Sequence, residues 1–249
     1  SNYTSKYIEE EFEMDFLLFK KKILSDRKFF LQYYNKIFNG YSIFFRDHLT
    51  YSLLIERIVP QLINEKKSIR VWSAGCSKGQ EPYSVAIVFE EVKDKLGIDF
   101  DYKIFATDKF PKVIEKAKEA IYSSLEVANL SLKMIDKYFT VIEDKYHLKK
   151  SIKEHVEYSV YDLVTNSSKY PNNTIFGGFD IIVCSNVLIY YQNNVQKDVV
   201  GKFASAVNKD GFIITGDVEM KLFKNILEDQ EVWSGIPIFK NRGSHYEKL

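Results

Sequence analysis

With 249 residues, 45% of them hydrophobic and 28% charged, the chain is an ordinary globular sequence. It is long enough for one large α/β domain with a small appendage. A formal net charge of +1 supplies no global field toward nucleic acid, and no apolar run reaches the roughly 20 residues that span a bilayer, so neither a nucleic-acid partner nor membrane insertion is expected. Cys76 and Cys184 are too few for a disulfide framework and read as buried small residues. With no signal-peptide pattern, a cytoplasmic monomer is the expected setting.

In chain order, Ile8, Phe12, Phe16, Phe19 and Ile23 recur at helical spacing. The interleaved Lys20, Lys21, Lys22, Arg27 and Lys28 read as a solvated face or as a docking surface for an acidic partner. A second helix is predicted from about Tyr51 to Ile63. Arg70-Val71-Trp72-Ser73-Ala74 then reads as a buried strand, followed by a turn containing Gly75 and Gly79 and a helix from Pro82 to about Lys95. A strand over 102–107 ends at Asp108, and Pro111 opens a helix running to Ile121, where its missing N–H costs nothing. Residues 138–150 form a candidate inserted hairpin. Strands are predicted at 154–161, 179–185 and 211–216, with a helix at 194–206 and an Asp210-Gly211 turn before the last strand. The tail, Ile236 to Phe239 and His245 to Glu247, reads as a terminal hairpin. Strands alternating with helices imply a mostly parallel sheet covered on both faces.

Such a sheet binds ligands beyond the carboxyl ends of its strands. The Gly75–Gly79 turn lets backbone approach a ligand closely, but it is neither the G-x-G-x-x-G fingerprint nor a P-loop. Asp108 is placed to accept from both hydroxyls of a ribose, or to cap the helix that follows. Asp162, past the next strand, can accept from an adenine amino group, and Glu81 can meet an ammonium. Three carboxylates at strand ends suit a ligand with ribose, an amino group and no phosphate.

These residues fall in ordered motifs. Val71 to Ser84 (Val-Trp-Ser-Ala-Gly-Cys-Ser-Lys-Gly-Gln-Glu-Pro-Tyr-Ser) resembles the cofactor motif of the chemotaxis receptor methyltransferases, the CheR family. Ser42-Ile43-Phe44-Phe45-Arg46-Asp47 is similar to that family's Thr-x-Phe-Phe-Arg-Glu segment. Ala106-Thr107-Asp108 resembles its second-strand end, and Cys184-Ser185-Asn186-Val187-Leu188-Ile189-Tyr190-Tyr191 its Cys-Arg-Asn-Val-x-Ile-Tyr-Phe segment. The likeness spans roughly residues 40–249.

The resemblance implies a Rossmann-like class I methyltransferase sheet over 65–249 with a small β insertion near 138–150. Residues 1–64 would be a helical segment shortened relative to the family. The implied cofactor is S-adenosylmethionine, leaving S-adenosylhomocysteine as product. Ser42, Arg46, Gly75, Glu81, Asp108, Asp162, Leu163, Asn186 and Val187 would bind it, and Arg46 and Tyr190 would stand nearest the transferred methyl. No metal is called for. The implied acceptors are glutamates on chemoreceptor cytoplasmic helices, or another acidic protein. A carboxylate ionised at pH 7 needs no general base, and Arg46 could grip it.

Read without the resemblance, Arg46 could equally be a surface ion pair and Tyr190 a packing aromatic. Ser185 stands where the family has Arg, Asp162 where it has Asn, and Gly216-Asp217-Val218-Glu219 where it has Gly-His-Ser-Glu. Only about 40 residues precede Phe44, so the cofactor follows more directly than the substrate. Two alternatives stay open: a methyltransferase of the same fold acting on another protein or a small carboxylic acid, and a non-catalytic cofactor-binding signalling module.

Overall fold

The computed structural model describes residues 15–26, 29, 42–171, 174, 177–227 and 232–243. The chain divides into two compact units, Ser1–Tyr41 and Ser42–Leu249. In the first, helix α1 covers Phe16–Ser25. It starts where Asp15 accepts from the Leu17 and Leu18 N–H groups at 2.8 and 3.0 Å, a standard cap for orphan N-terminal donors. Phe19 is buried and meets Phe29 edge-on at 5.8 Å. Ile8, Phe12, Arg27 and Lys28 lie outside the described residues.

The second unit opens with one helical run: α2 His48–Leu53, a π turn Leu54–Ile58 and α3 Val59–Glu65. It starts three residues earlier than the sequence pattern places it, because Asp47 caps it, accepting from Thr50 N–H. The π turn, closed by Val59 N–H on Leu54 C=O, falls just before Pro60. Proline has no N–H to give the regular ladder, and its ring crowds the preceding turn.

The main sheet holds β1 Ser68–Ala74, β2 Asp101–Asp108, β6 Val156–Val160, β7 Phe179–Cys184, β8 Val207–Thr215 and β9 Ile238–Lys240. Their order is β6-β2-β1-β7-β8-β9, parallel except for β9. Helix α4, Gln80–Leu96, crosses from β1 to β2, and α8, Asn193–Ala206, precedes β8. Alternation along the strands fills two cores. Val71, Ile181 and Val183 face α4 and the α2–α3 run, while Trp72, Ile182 and Cys184 face α8. Trp72 is fully buried and edge-on to Tyr161 and Phe203 at 5.6 and 5.2 Å. Truncating so enclosed an aromatic to alanine costs about 3–5 kcal/mol. Both cysteines are buried and free.

Three elements depart from the sequence pattern. Helix α5, Pro111–Glu119, stops two residues before Ile121, because Ala120 turns left-handed at φ 55°. Ile121–Tyr122 becomes strand β3, pairing with β5 Lys145–Leu148, which pairs in turn with β4 Phe139–Ile142. The β4–β5 turn is Glu143-Asp144, both at positive φ, the geometry of a two-residue hairpin. Strand β8 starts at Val207, not 211. The Asp210-Gly211 signal makes an irregularity inside the strand, with Asp210 at φ 63° and a register shift opposite Phe179–Ile181. In the tail, Ile238–Lys240 pairs with β8; the second arm of the expected hairpin, His245 to Glu247, lies outside the described residues.

Candidate active site

The strand order changes direction between β1 and β7, and that switch point opens a crevice at the strands' carboxyl ends. The β1–α4 turn lines it. Gly75 and Cys76 donate to Thr107 C=O at 2.8 and 2.9 Å, tying the turn to the end of β2. Gly75 has φ 80°, and a Cβ there would stand 2.5 Å from Val187 Cγ2. Gly79, φ 92°, would place a Cβ 2.5 Å from the Tyr158 hydroxyl. Only glycine therefore fits either position without displacing the β7 loop or the tyrosines beneath the turn.

Three carboxylates border the crevice. Asp108 accepts from Ser77 N–H and Phe110 N–H, both at 3.1 Å. Burial raises its carboxyl above the ordinary range, working against those two bonds. Asp162, partly buried but held by the Val164 and Thr165 N–H groups and the Thr165 hydroxyl, sits below its ordinary value. Glu81, in the first turn of α4, accepts from Ser73 Oγ at 2.7 Å and is also bonded by Ser185. Desolvation there pushes it up to about 7, and the Glu219 carboxylate adds to the rise.

Beside them lies a cavity of about 400 Å³, lined by Ser42, Arg46, Glu81, Ser185, Asn186 and Asp217 among others. Volumes of that order hold small ligands. The Arg46 segment is fixed by its neighbours. Phe44 is fully buried and edge-on to Tyr122 and Phe139 at 4.8 and 5.4 Å, and Phe45 N–H donates to Ser84 Oγ at 3.0 Å. Arg46 itself is exposed at the cavity wall, with no ion-pair partner among the described residues. His48 lines the same cavity.

A buried carboxylate that the sequence reading gave no role organises the far wall. Glu219, 2% exposed, accepts from Asn186, Val187 and Leu188 N–H at 2.7, 2.8 and 2.6 Å, and from Thr215 Oγ1 and Gly216 N–H at 3.0 and 3.3 Å. It clamps the turn after β7, in which Asn186 takes φ 60°. The only sequence signal was a Glu just after a strand end and Gly216, within a segment whose neighbours differ from the family.

The structure thus gathers Ser42, Arg46, Glu81 and Asn186 on one cavity. Gly75, Asp108 and Val187 adjoin it along the glycine turn, and Asp162 stands past β6. Leu163 is 6% exposed and packed in the Trp72 core, which leaves only its backbone for a ligand. Tyr190, 47% exposed, sits on the 3₁₀ turn Leu188–Tyr190, outside the cavity lining.

The donor set fits S-adenosylmethionine. Three carboxylates face a ligand with an ammonium, a diol and an exocyclic amine. Ser77 Oγ, beside Asp108, is buried with no partner among the described residues, and the glycine turn admits close backbone approach. The fold and crevice together define a Rossmann-like domain of the S-adenosylmethionine-binding class.

The family follows from comparison. Residues 41–232 match the family model described as "CheR methyltransferase, SAM binding domain", and the chain belongs to that family. It is similar to the chemotaxis protein methyltransferase of Borreliella burgdorferi, 32% identical over 191 residues, covering 74% of this chain and 66% of that protein. It is similar to Cher2 of Pseudomonas putida, 31% identical over 184 residues, covering 72% and 65%. A Listeria innocua chemotaxis protein methyltransferase is 30% identical over 205 residues, covering 82% and 74%. The chain thus spans a little under two thirds of the first two relatives' length. Its cofactor is S-adenosylmethionine.

Proposed function

We propose that the protein is an S-adenosylmethionine-dependent O-methyltransferase that forms methyl esters on glutamate side chains of chemoreceptors, working as a cytoplasmic monomer. The observation that carries this reading is one cavity lined by both Glu81 and an unpaired Arg46: an anion for the cofactor's amino-acid end beside a cation for an acceptor carboxylate. The bound cofactor supplies a methyl group activated on a sulfonium.

The protein's own residues bind and orient. Glu81 holds the ammonium, Asp108 the ribose hydroxyls and Asp162 the adenine amino group. Ser42 and the Asn186–Val187 turn complete the amino-acid end, and the backbone at Gly75 and Leu163 closes on the nucleoside. Arg46 grips the incoming carboxylate, and Tyr190, on the adjoining exposed turn, orients it once the acceptor docks. A glutamate is already ionised at pH 7, so the site has no proton to remove. Its contribution is alignment of the two partners in a water-poor cleft, and such positioning supplies much of the rate in bimolecular transfer.

The names of the relatives above support the acceptor class. The test is transfer of labelled methyl to a chemoreceptor cytoplasmic fragment. Label is expected on the wild-type fragment and lost when its candidate glutamates are replaced by alanine. Equal labelling of the glutamate-free fragment overturns the acceptor.

A further inference from the structure

Glu219 is almost wholly buried, yet no lysine, arginine or histidine pairs with it among the described residues. Instead its two oxygens take five donors. Oε2 accepts from Asn186 N–H, Thr215 Oγ1 and Gly216 N–H, and Oε1 from Val187 and Leu188 N–H. The group they fix is the turn Asn186–Leu188, which holds a non-glycine residue at φ 60°.

That turn is wedged from both sides. Val187 lies against Gly75, where a Cβ would come within 2.5 Å of its Cγ2, and Asn186 Nδ2 lies 3.0 Å from where a Gly216 Cβ would be. Glycines on either flank and a buried carboxyl behind hold the turn in place. Such redundancy is unusual for a surface loop, where backbone donors ordinarily go to water. The turn is also next to Ser185, which bonds Glu81.

We propose that Glu219 is a positioning residue for the cofactor's amino-acid end: it clamps the Asn186–Leu188 turn against the glycine loop, next to the Ser185 that bonds Glu81. This rests on the reading of Glu81 as the ammonium-binding group. Glu219 touches no ligand itself; it acts through the turn.

The experiment is calorimetry of S-adenosylhomocysteine binding at pH 7.5 on the wild type, Glu219→Gln and Glu219→Asp, with near-UV circular dichroism to certify folding. The wild type is measured first. If it binds nothing, the underlying cofactor reading fails and the inference falls with it. If it binds, the inference stands or falls on the variants. Glu219→Gln replaces one acceptor oxygen by an amide nitrogen that cannot accept, so it should bind at least tenfold more weakly at pH 7.5. Glu219→Asp keeps both acceptors on a shorter arm and should recover part of that loss. A purely structural Glu219 would alter stability and leave the affinity of the folded variants in place. A folded Glu219→Gln with wild-type affinity overturns the proposal. Should Glu219→Gln fail to fold, Thr215→Val removes one donor to the same carboxylate. A folded Thr215→Val together with a folded Glu219→Asp, both at wild-type affinity, overturns it equally.

Discussion

Acidifying the solution should weaken cofactor binding through one side chain. Glu81 lies at about 7 because burial outweighs its bonds from Ser73 and Ser185. If only its ionised form meets the ligand ammonium, about three quarters of the protein is competent at pH 7.5 and about 3% at pH 5.5. The ligand's α-amino group, ordinarily near 7.8, is roughly two-thirds charged at pH 7.5 and fully charged at pH 5.5, which offsets part of the change. The net loss is about 15-fold in Kd, about 1.6 kcal/mol. Affinity should therefore peak between about pH 7 and 8 and fall on either side.

The stability of the free protein runs the other way. A carboxyl raised from 4.5 to about 7 by folding favours the fold fully below about pH 4.5, and that contribution is lost as pH rises through 7. Cofactor-induced stabilisation should thus be largest above pH 7. Isothermal calorimetry across this range measures the first effect, and Glu81→Gln should flatten the acid limb. Asp108 is raised too, so the variant decides which carboxylate is responsible. A wild-type affinity constant within twofold from pH 5.5 to 7.5, or an acid limb that persists in Glu81→Gln, would refute the assignment.

Other expectations follow from single contacts. Asp108→Ala removes a charged partner of the ribose and should cost about 1.5–3 kcal/mol, roughly ten- to a hundredfold in Kd by calorimetry; unchanged affinity removes Asp108 from the site. Gly75→Ala puts a β-carbon 2.5 Å from Val187 at φ 80° and should destabilise by about 2 kcal/mol or more in urea unfolding, with weaker cofactor binding. Arg46→Ala should lower methyl transfer at least tenfold while cofactor Kd changes less, and Tyr190→Phe should show the same split more mildly. Wild-type turnover in either variant would cancel its role.

Much of this architecture could be read from the chain. The largely apolar run Val71, Trp72, Ser73 and Ala74, ended by Gly75, marks the first strand and its ligand turn, because a strand covered on both faces buries successive side chains. Asp108 was visible because an acid closing a buried strand needs a reason to be there. What stayed hidden depended on contacts distant in sequence. Ile121 looked helical because nothing local reveals its pairing with His147. Asp210-Gly211 looked like a turn because a bulge uses the same left-handed residue. Glu219 could not be assigned since its donors lie about 30 residues upstream, at Asn186, Val187 and Leu188. His48 lines the cavity because Asp47 starts the helix there.

The acceptor chemistry is what most needs measuring. Chemoreceptor fragment labelled from S-adenosylmethionine by this protein should be washed and treated with dilute alkali, and the vapour counted for methanol. A glutamate methyl ester hydrolyses under these conditions, so the label should leave as volatile methanol. Methylated lysine, arginine or histidine would not hydrolyse. Label that stays on the protein through alkali would contradict transfer to a carboxylate.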